Sequence, residues 1–192
     1  MKKDLLSQER RGFFSKIFIS GAVSLALLSL SGCNSSNNTD TTVQLTDDQK
    51  YTLLYMYQEE KAARDVYIYL GDIYNADTNT FSYIQISEQR HMDACEKLCI
   101  KYGVDISAVD ENDIGVFILP ELQDLYDTLI AQGEPSLRDA LEVGILIEET
   151  DITDLEEAVV GMPDDVVRVF ENLKEGSLNH LDAFTYALSQ LP

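Results

Sequence analysis

The fold class that the sequence predicts is all-α, an antiparallel four-helix bundle with a long crossover that contains a short extra helix. Four long segments repeat apolar residues at the three- and four-residue spacing of a helix face. No segment alternates apolar and polar residues over the length of a strand. Of the 192 residues, 45% are hydrophobic and 25% are charged, which is typical of a globular chain with a real core. Two helical hairpins joined by one long connection meet the requirements of such a bundle.

The first long helix is predicted to begin near Thr46 and to end at Gly71. Thr46 and Gln49 form the pattern of a capping box, in which each side chain accepts a hydrogen bond from the backbone of the other residue. At about 100° per residue, Glu60 lies within the apolar stripe of this helix, whereas Glu59 is turned away from it. The stripe consists of Leu53, Met56, Glu60, Ala63, Tyr67 and Leu70.

The second long helix is predicted over residues 81–102, with Gly103 as its C-terminal cap. Its stripe consists of Phe81, Ile84, Glu88, His91, Cys95 and Leu98. Glu88 and His91 therefore stand three residues apart in the middle of an apolar face. Glu-x-x-His is the spacing by which one helix supplies two ligands to a metal inside a four-helix bundle.

The second helix also carries two of the three cysteines, Cys95 and Cys99. They lie four residues apart, where helical side chains run parallel, and this geometry suits a disulfide poorly. We expect both to be small buried apolar residues, with a redox or metal-adjacent role for Cys95 as the alternative.

A long connection over residues 104–120 follows, and it leads into a short helix over residues 121–132. The third long helix is predicted to begin at Ser136, which is a favoured N-terminal residue. Its stripe consists of Leu137, Leu141, Gly144, Glu148, Ile152 and Leu155. Glu148 lies within the stripe, Asp151 stands one turn later, and Gly144 would allow close packing.

The fourth long helix is predicted from Asp164 to about Leu191. Its stripe consists of Val166, Val169, Leu173, Ser177, His180, Phe184, Ala187 and Leu191. With His180, both histidines of the chain lie on apolar helix faces. Each long helix thus places acid or imidazole groups towards the predicted core.

Buried carboxylates without partners cost several kcal/mol each, and a bound cation removes that penalty. Carboxylate and imidazole ligands together suit iron or manganese, and also zinc. The predicted metal ligands are Glu60, Glu88, His91, Glu148, Asp151 and His180. The alternative is structural: Glu60 pairs with Arg64, Arg90 neutralises other acids, and each histidine is a hydrogen-bonded core residue.

Residues 1–33 are predicted to be an export signal, with a basic start and an apolar run too short for a comfortable membrane span. The sequence LSGC ending at Cys33 resembles the lipobox of bacterial lipoproteins, which implies cleavage before Cys33 and its lipidation. The sequence RRGFF from Arg10 resembles a twin-arginine signal, with the general secretory route as the alternative. Residues 34–45 are predicted to be a flexible tether, and residues 46–192 the helical domain.

The formal net charge of −20 argues against nucleic acid as a partner and favours the attraction of metal ions. The predicted contact with the membrane is therefore the lipid on Cys33, in an exported lipoprotein on the periplasmic or outer face of the cell envelope. A homodimer is left open.

Four strings together resemble an uncharacterised ferritin-like family near the rubrerythrins: QEEKAARDVY (58–67), SEQRHM (87–92), LIEE (146–149) and GSLNHL (176–181). The resemblance implies a ferritin-like bundle and makes Glu60 and Glu148 the carboxylates of the first and third helices. It makes Glu88 and His91 the first Glu-x-x-His pair, and it places His180 where the second pair has its histidine. The residues that it implies as ligands are therefore those that the helix faces predict.

One departure from the ferritin pattern is Ser177, which stands where the second pair has its glutamate. Asp151 could supply the missing carboxylate, or the site could hold a single metal. Tyr67 falls where ferritins often carry a tyrosine, so the resemblance implies a catalytic role as a hydrogen-bond donor or radical site. The alternative for Tyr67 is a core aromatic residue.

The expected cofactor is iron in a di-iron site, with manganese or zinc as alternatives. The expected function is that of a lipid-anchored metal protein that oxidises Fe(II) or reduces dioxygen or peroxide. The alternative is a non-catalytic envelope lipoprotein that binds a partner or is structural, with its buried acids and histidines serving the fold. Iron storage is less expected, because a tethered domain would struggle to close a cage.

Overall fold

The computed structural model describes residues 43–192, in which the only regular secondary structure is five α-helices. Their bounds are Asp47–Tyr74 (α1), Thr80–Tyr102 (α2), Pro120–Gly133 (α3), Leu137–Ala158 (α4) and Asp164–Ser189 (α5). The predicted all-α class is confirmed for this part of the chain. The predicted signal with Cys33, and most of the predicted tether, lie outside the described residues.

The predicted helix caps are confirmed, and each follows from a local interaction. At the start of α1, Thr46 Oγ1 accepts from the backbone N–H of Gln49 at 3.2 Å, and Gln49 Oε1 accepts from the N–H of Thr46 at 2.9 Å. At the end of α2, Gly103 adopts the left-handed conformation with a φ of 66°. At the start of α4, Ser136 Oγ accepts from the N–H of Asp139 at 3.1 Å.

The predicted end of α1 at Gly71 is wrong, because the helix continues to Tyr74. Gly71 serves close packing instead of capping. A Cβ atom on residue 71 would lie 3.2 Å from Cβ of Phe81, so the glycine lets the start of α2 approach α1. Gly71 therefore marks a close contact between α1 and α2 and not the end of α1.

The four long helices pack on one another around a common core. α1 packs on α2 and α4, and α5 packs on the other side of the same two helices, while α3 packs on α1 and α4. α1 and α4 run antiparallel, because Tyr67 contacts Glu148 whereas Glu59, two turns earlier in α1, contacts Asp154 further along α4. In residues 43–192, no helix has the length and the apolar character that crossing a membrane requires.

Three aromatic rings fill one end of this core. The ring of Phe184 on α5 lies 5.0 Å from that of Tyr67 on α1 and 5.3 Å from that of Phe81 on α2, between ring centroids. A Cβ atom on residue 144 would lie 2.6 Å from the Phe184 ring, which confirms that Gly144 allows close packing. The core beside the candidate site is thus closed by aromatic packing on this side.

The crossover, residues 104–119, lies across the outer face of α1. Because α2, α3 and α4 pack on its other sides, every residue from 55 to 67 of α1 is buried, including charged ones. Lys61 Nζ contacts Asp65 Oδ2 at 2.6 Å and donates to the carbonyl oxygen of Asp113 at 2.8 Å. Arg64 pairs with Asp65 at 2.7 Å and donates to the carbonyl oxygen of Glu111 at 2.6 Å. Arg64 is therefore engaged with the crossover and not with Glu60.

Candidate metal centre

Glu88 lies between the two histidines of the chain, in the interior of the helical core. Its Oε2 atom is 3.0 Å from Nδ1 of His91, which α2 supplies one turn later. Its Oε1 atom is 2.7 Å from Nδ1 of His180, which α5 supplies. All three side chains are buried, and one ligand atom from each lies within 4.8 Å of the others. Each oxygen of Glu88 thus faces a different imidazole.

Two further carboxylates flank this trio, one on each side. Glu60 Oε2 on α1 lies 3.4 Å from Nδ1 of His91. Glu148 Oε2 on α4 lies 3.4 Å from Nδ1 of His180. The cluster therefore has two similar halves, each with one imidazole and one carboxylate, which share Glu88. We call these five residues the Glu88 centre.

The close approach of α5 to α2 at the Glu88 centre depends on Gly176. A Cβ atom on this residue would lie 2.5 Å from Nε2 of His91. The two imidazole rings lie 5.3 Å apart between centroids, with 26° between their planes. The sequence analysis missed the role of Gly176, and the available signal was a glycine in the middle of a helix, where it costs about 1 kcal/mol relative to alanine.

Tyr67 and Asp151, also predicted as site residues, lie next to the centre. The hydroxyl of Tyr67 donates to Glu148 Oε1 at 2.6 Å. Asp151 Oδ2 accepts from Ser177 Oγ at 2.5 Å, so the serine that replaces the expected glutamate holds the neighbouring acid. The structure thus places Tyr67 in contact with a predicted ligand, and Asp151 in contact with Ser177.

Several atoms of the cluster are buried without a hydrogen bond. Although the imidazole nitrogens lie close to carboxylate oxygens, their alignment is not that of a hydrogen bond. The atoms are Glu60 Oε1, Glu88 Oε1, His91 Nδ1, His180 Nδ1 and Asp151 Oδ1. Buried polar atoms are nearly always hydrogen-bonded in native proteins, so this set calls for an explanation. A cation among these oxygen and nitrogen donors would supply one, and the donor set fits iron, manganese or zinc.

The ionisable groups of the Glu88 centre shift one another's pKa values. Burial raises the pKa of Glu60 to about 7 and that of Glu148 to about 8. Burial opposes ionisation of Glu88 too, but the imidazoles beside it lower its pKa to about 2. Burial alone would lower the pKa of both histidines, yet the adjacent carboxylates raise that of His91 to about 11 and that of His180 to about 9. Without a metal, the centre therefore holds protons that a metal would have to displace.

Two buried acids near the centre, Glu59 and Asp154, were not among the predicted site residues. Glu59 was predicted to be turned away from the core, but it is only 6% exposed, because it faces Asp154 of α4 inside the helical core. Asp154, which is 5% exposed, was not singled out. Its spacing of three residues from Asp151, which is itself three from Glu148, was a signal that could have found it.

The predicted burial of Cys95 and Cys99 is confirmed, and both thiols are free. Cys99 Sγ donates to the carbonyl oxygen of Leu53 at 3.4 Å. Burial raises the pKa of the Cys95 thiol well above its ordinary value and that of Cys99 to about 12. Because the thiolate is the form that binds metals, neither residue is a ready ligand in this state.

Comparison with known proteins finds similarity over most of the described chain. Residues 49–191 match the family described as "Uncharacterized protein domain (DUF2202)". The uncharacterized protein MJ0754 of Methanocaldococcus jannaschii is 42% identical over 146 residues, which make up 76% of this chain and 77% of that protein. The crystal structure of the hypothetical protein MJ0754 from Methanococcus jannaschii is similar in fold, with a TM-score of 0.71 and 37% identity. That likeness covers 83% of this chain and 86% of the crystallised one.

Proposed function

This chain belongs to the DUF2202 family, and from that premise we propose that it is a ferritin-like metal protein whose Glu88 centre binds two iron or manganese ions. The observation that carries the proposal is the position of Glu88, with one oxygen facing each histidine. A carboxylate in that position suits the bridging of two metal ions. In the di-iron carboxylate proteins, two helices each supply a Glu-x-x-His motif and the other two each supply a Glu, a pattern from which this chain departs only at Ser177.

The finer fold assignment belongs to the same proposal. In it, the four long helices form an antiparallel bundle of ferritin topology, and α3 is the extra helix of the crossover. The support is the direction of the helices: α1 and α2 are antiparallel neighbours, as the contacts Glu60–His91 and Cys99–Leu53 require. α4 and α5 pack on each other in the same way, with Asp151 against Ser177 and Glu156 against Lys174.

The proposed ligands fall into two sets that share Glu88. One ion would be held by Glu60 and His91, and the other by Glu148 and His180. Asp151, which Ser177 orients, would stand in for the second bridging glutamate of the ferritin pattern. Bound iron would supply the one-electron redox chemistry for oxidation of Fe(II) by dioxygen or peroxide.

The chain's own groups would support this chemistry in two ways. Tyr67 donates a hydrogen bond to Glu148 and so fixes the orientation of that carboxylate. The rings of Tyr67, Phe81 and Phe184 keep water from one side of the centre. Exclusion of water strengthens the electrostatic interactions inside the site.

The location that we propose is the cell envelope, with the protein exported and anchored by a lipid on Cys33. The support is the sequence of residues 1–33, with its basic start, short apolar run and terminal LSGC. The acidic charge of the chain is compatible with a domain held near the membrane by its lipid and not by its protein surface.

A second candidate function is a non-catalytic envelope module whose buried acids and histidines are structural. One observation favours it: Glu88 lies between two imidazoles whose pKa the adjacent carboxylates raise, so the cluster can compensate its own charge. In this case the centre would specify the arrangement of the helices without a metal.

The metal content of the mature protein distinguishes these candidates. We expect protein produced with added iron to retain at least two ions of iron or manganese per chain after desalting, measured by elemental analysis. Glu88→Gln, which keeps the shape of the side chain and removes its charge, is expected to lose the two ions of the Glu88 centre. Glu142→Gln, at an exposed position of α4, is the matched control and should retain both. Substoichiometric iron, manganese and zinc in the unmodified protein would exclude the metal centre.

The enzymatic part of the proposal needs a separate measurement. Metal-loaded protein supplied with Fe(II) is expected to consume dioxygen or peroxide faster than the Glu88→Gln variant does. Equal rates for the two proteins would leave a metal-binding protein without oxidase activity.

A further inference from the structure

A second pair of buried acids, Glu59 and Asp154, lies outside the Glu88 centre. Their exposed fractions are 6% and 5%, and the two carboxyl groups face each other between α1 and α4, where each shifts the pKa of the other. Each side chain also has one buried oxygen without a hydrogen-bond partner, Oε2 of Glu59 and Oδ2 of Asp154. Within residues 43–192, neither acid forms an ion pair with a basic side chain. The pair therefore has oxygen atoms that are free to bind a cation, and no basic side chain compensates its negative charge.

The pair continues the line of acids that begins at the Glu88 centre. Asp154 stands one turn beyond Asp151 on α4, and Glu59 is next to Glu60 on α1. Asp151 also has a free buried oxygen, Oδ1. Asp154 lies about 9 Å along the helix axis from Glu148, at 1.5 Å per residue. The acids thus extend away from the aromatic rings that close the opposite side of the core.

We propose that Glu59 and Asp154 form a second cation site, separate from the Glu88 centre, for a hard divalent ion such as Mn²⁺, Fe²⁺ or Mg²⁺. Two buried carboxylates repel each other, and a cation between them removes that repulsion. All of the protein donors are oxygen atoms, the ligand type that hard divalent cations prefer, and water would complete the coordination. The site uses none of the five residues of the Glu88 centre, so it does not depend on the function proposed for that centre.

Mn²⁺ binding to the mature full-length chain tests this site, with free Mn²⁺ measured by electron paramagnetic resonance. The test variant carries both Glu59→Gln and Asp154→Asn, which keep the side-chain shape and remove the charge. We expect the variant to bind one Mn²⁺ ion fewer per chain than the unmodified protein. Equal numbers of bound ions with equal affinities would overturn the proposal, because the two acids would then be held together by a shared proton alone.

The control for loss of acidic charge is the double variant Glu142→Gln with Asp182→Asn. Both residues are exposed, on α4 and α5, and this variant should bind as many Mn²⁺ ions as the unmodified protein. Thermal unfolding by circular dichroism checks that each variant is folded. The single variant Asp154→Asn provides a milder second test, and we expect it to lower the affinity for the same Mn²⁺ ion at least tenfold.

The Glu88→Gln variant separates this proposal from the preceding one. It is expected to keep the Mn²⁺ ion that depends on Glu59 and Asp154, whatever happens at the Glu88 centre. If Glu88→Gln and the Glu59/Asp154 double variant lose the same ion, the two sites are one and the second site is refuted.

Discussion

Glu88 contacts both histidines of the chain, because its two carboxylate oxygens face two different imidazoles. His91 is fixed from both sides, with Nδ1 towards Glu88 and Nε2 against the backbone of Gly176. Such positioning contacts set the orientation of a ligand and hence the affinity of a metal site. At the scale of single residues, the account therefore depends on contacts that hold side chains in place as much as on the candidate ligands.

Gly176→Ala tests the contact that positions His91. Alanine favours a helix over glycine by about 1 kcal/mol, but its Cβ atom would lie 2.5 Å from His91 Nε2 and would displace the ring. We expect metal affinity to fall by about 10-fold or more, as is usual for lost positioning contacts, with no gain in thermal stability. Asn172→Ala, at an exposed position of α5, is the control and should leave affinity unchanged. Unchanged affinity in Gly176→Ala would show that the position of His91 is not critical.

Tyr67→Phe tests the hydrogen bond to Glu148. Removal of the buried hydroxyl leaves Glu148 Oε1 without its donor, so we expect the free energy of unfolding to fall by about 1–3 kcal/mol. Urea denaturation of the metal-free protein measures this change. Tyr83→Phe is the matched control, because Tyr83 is 68% exposed and should tolerate the change. Equal effects of the two substitutions would show that the hydrogen bond from Tyr67 to Glu148 does not stabilise the centre.

At the scale of helices, α1 is unusual because it is buried on every side from residue 55 to residue 67. Glu60 of α1 contributes to the centre, and the neighbouring side chains of Lys61, Arg64 and Asp65 bind the crossover. The backbone N–H of Gly115 also donates to Asp65, at 2.9 Å. The ion cluster thus fixes the crossover on α1, and with it the path of the chain between its two helical hairpins.

Lys61→Met tests this attachment. Methionine keeps most of the side-chain volume but leaves Asp65 with one basic partner and two crossover carbonyl groups without a donor. Removal of one partner of a buried ion pair costs about 3–5 kcal/mol, and we expect a loss in that range by urea denaturation. Cleavage by a protease within residues 104–119 should also become faster. Lys97→Met, at an exposed position of α2, should change neither measurement; a similar loss there would contradict the assigned role of Lys61.

Features that depend on local interactions were predictable from the sequence, whereas features that depend on distant interactions were not. The cap at Thr46 and the stripe with Glu88 and His91 were predictable, since both depend on residues within one or two turns. The burial of Glu59 was not, because Glu59 packs against Asp154 of α4, which lies about 95 residues further along the chain. Gly71 was misjudged for a related reason, since its partner Phe81 belongs to the next helix.

At the scale of the whole molecule, the proposed metals and the protons of the core compete for the same atoms. Both imidazoles and two of the carboxylates of the Glu88 centre have raised pKa values. The folded metal-free chain therefore binds more protons than the unfolded chain. Groups whose pKa is higher in the folded state stabilise the fold fully at pH values below their ordinary pKa. This stabilisation is lost as the pH rises through their pKa in the folded state.

The stability of the metal-free protein is expected to fall as the pH rises from about 5 to about 9. Glu148 loses its contribution between an ordinary pKa of 4.5 and a folded pKa of about 8, and His180 between 6.5 and about 9. The lowered pKa of Glu88 acts only below this range. Urea denaturation at several pH values measures the slope, which Glu148→Gln should reduce. A stability that rises over this range would contradict the charge assignments.

Anomalous X-ray scattering from crystals of the iron-loaded protein shows directly whether metal ions flank Glu88. We expect an iron peak on each side of Glu88 inside the helical core, with His91 bound to one ion and His180 to the other. The absence of anomalous density between these residues in protein that retains iron, or iron peaks confined to the molecular surface, would contradict this expectation.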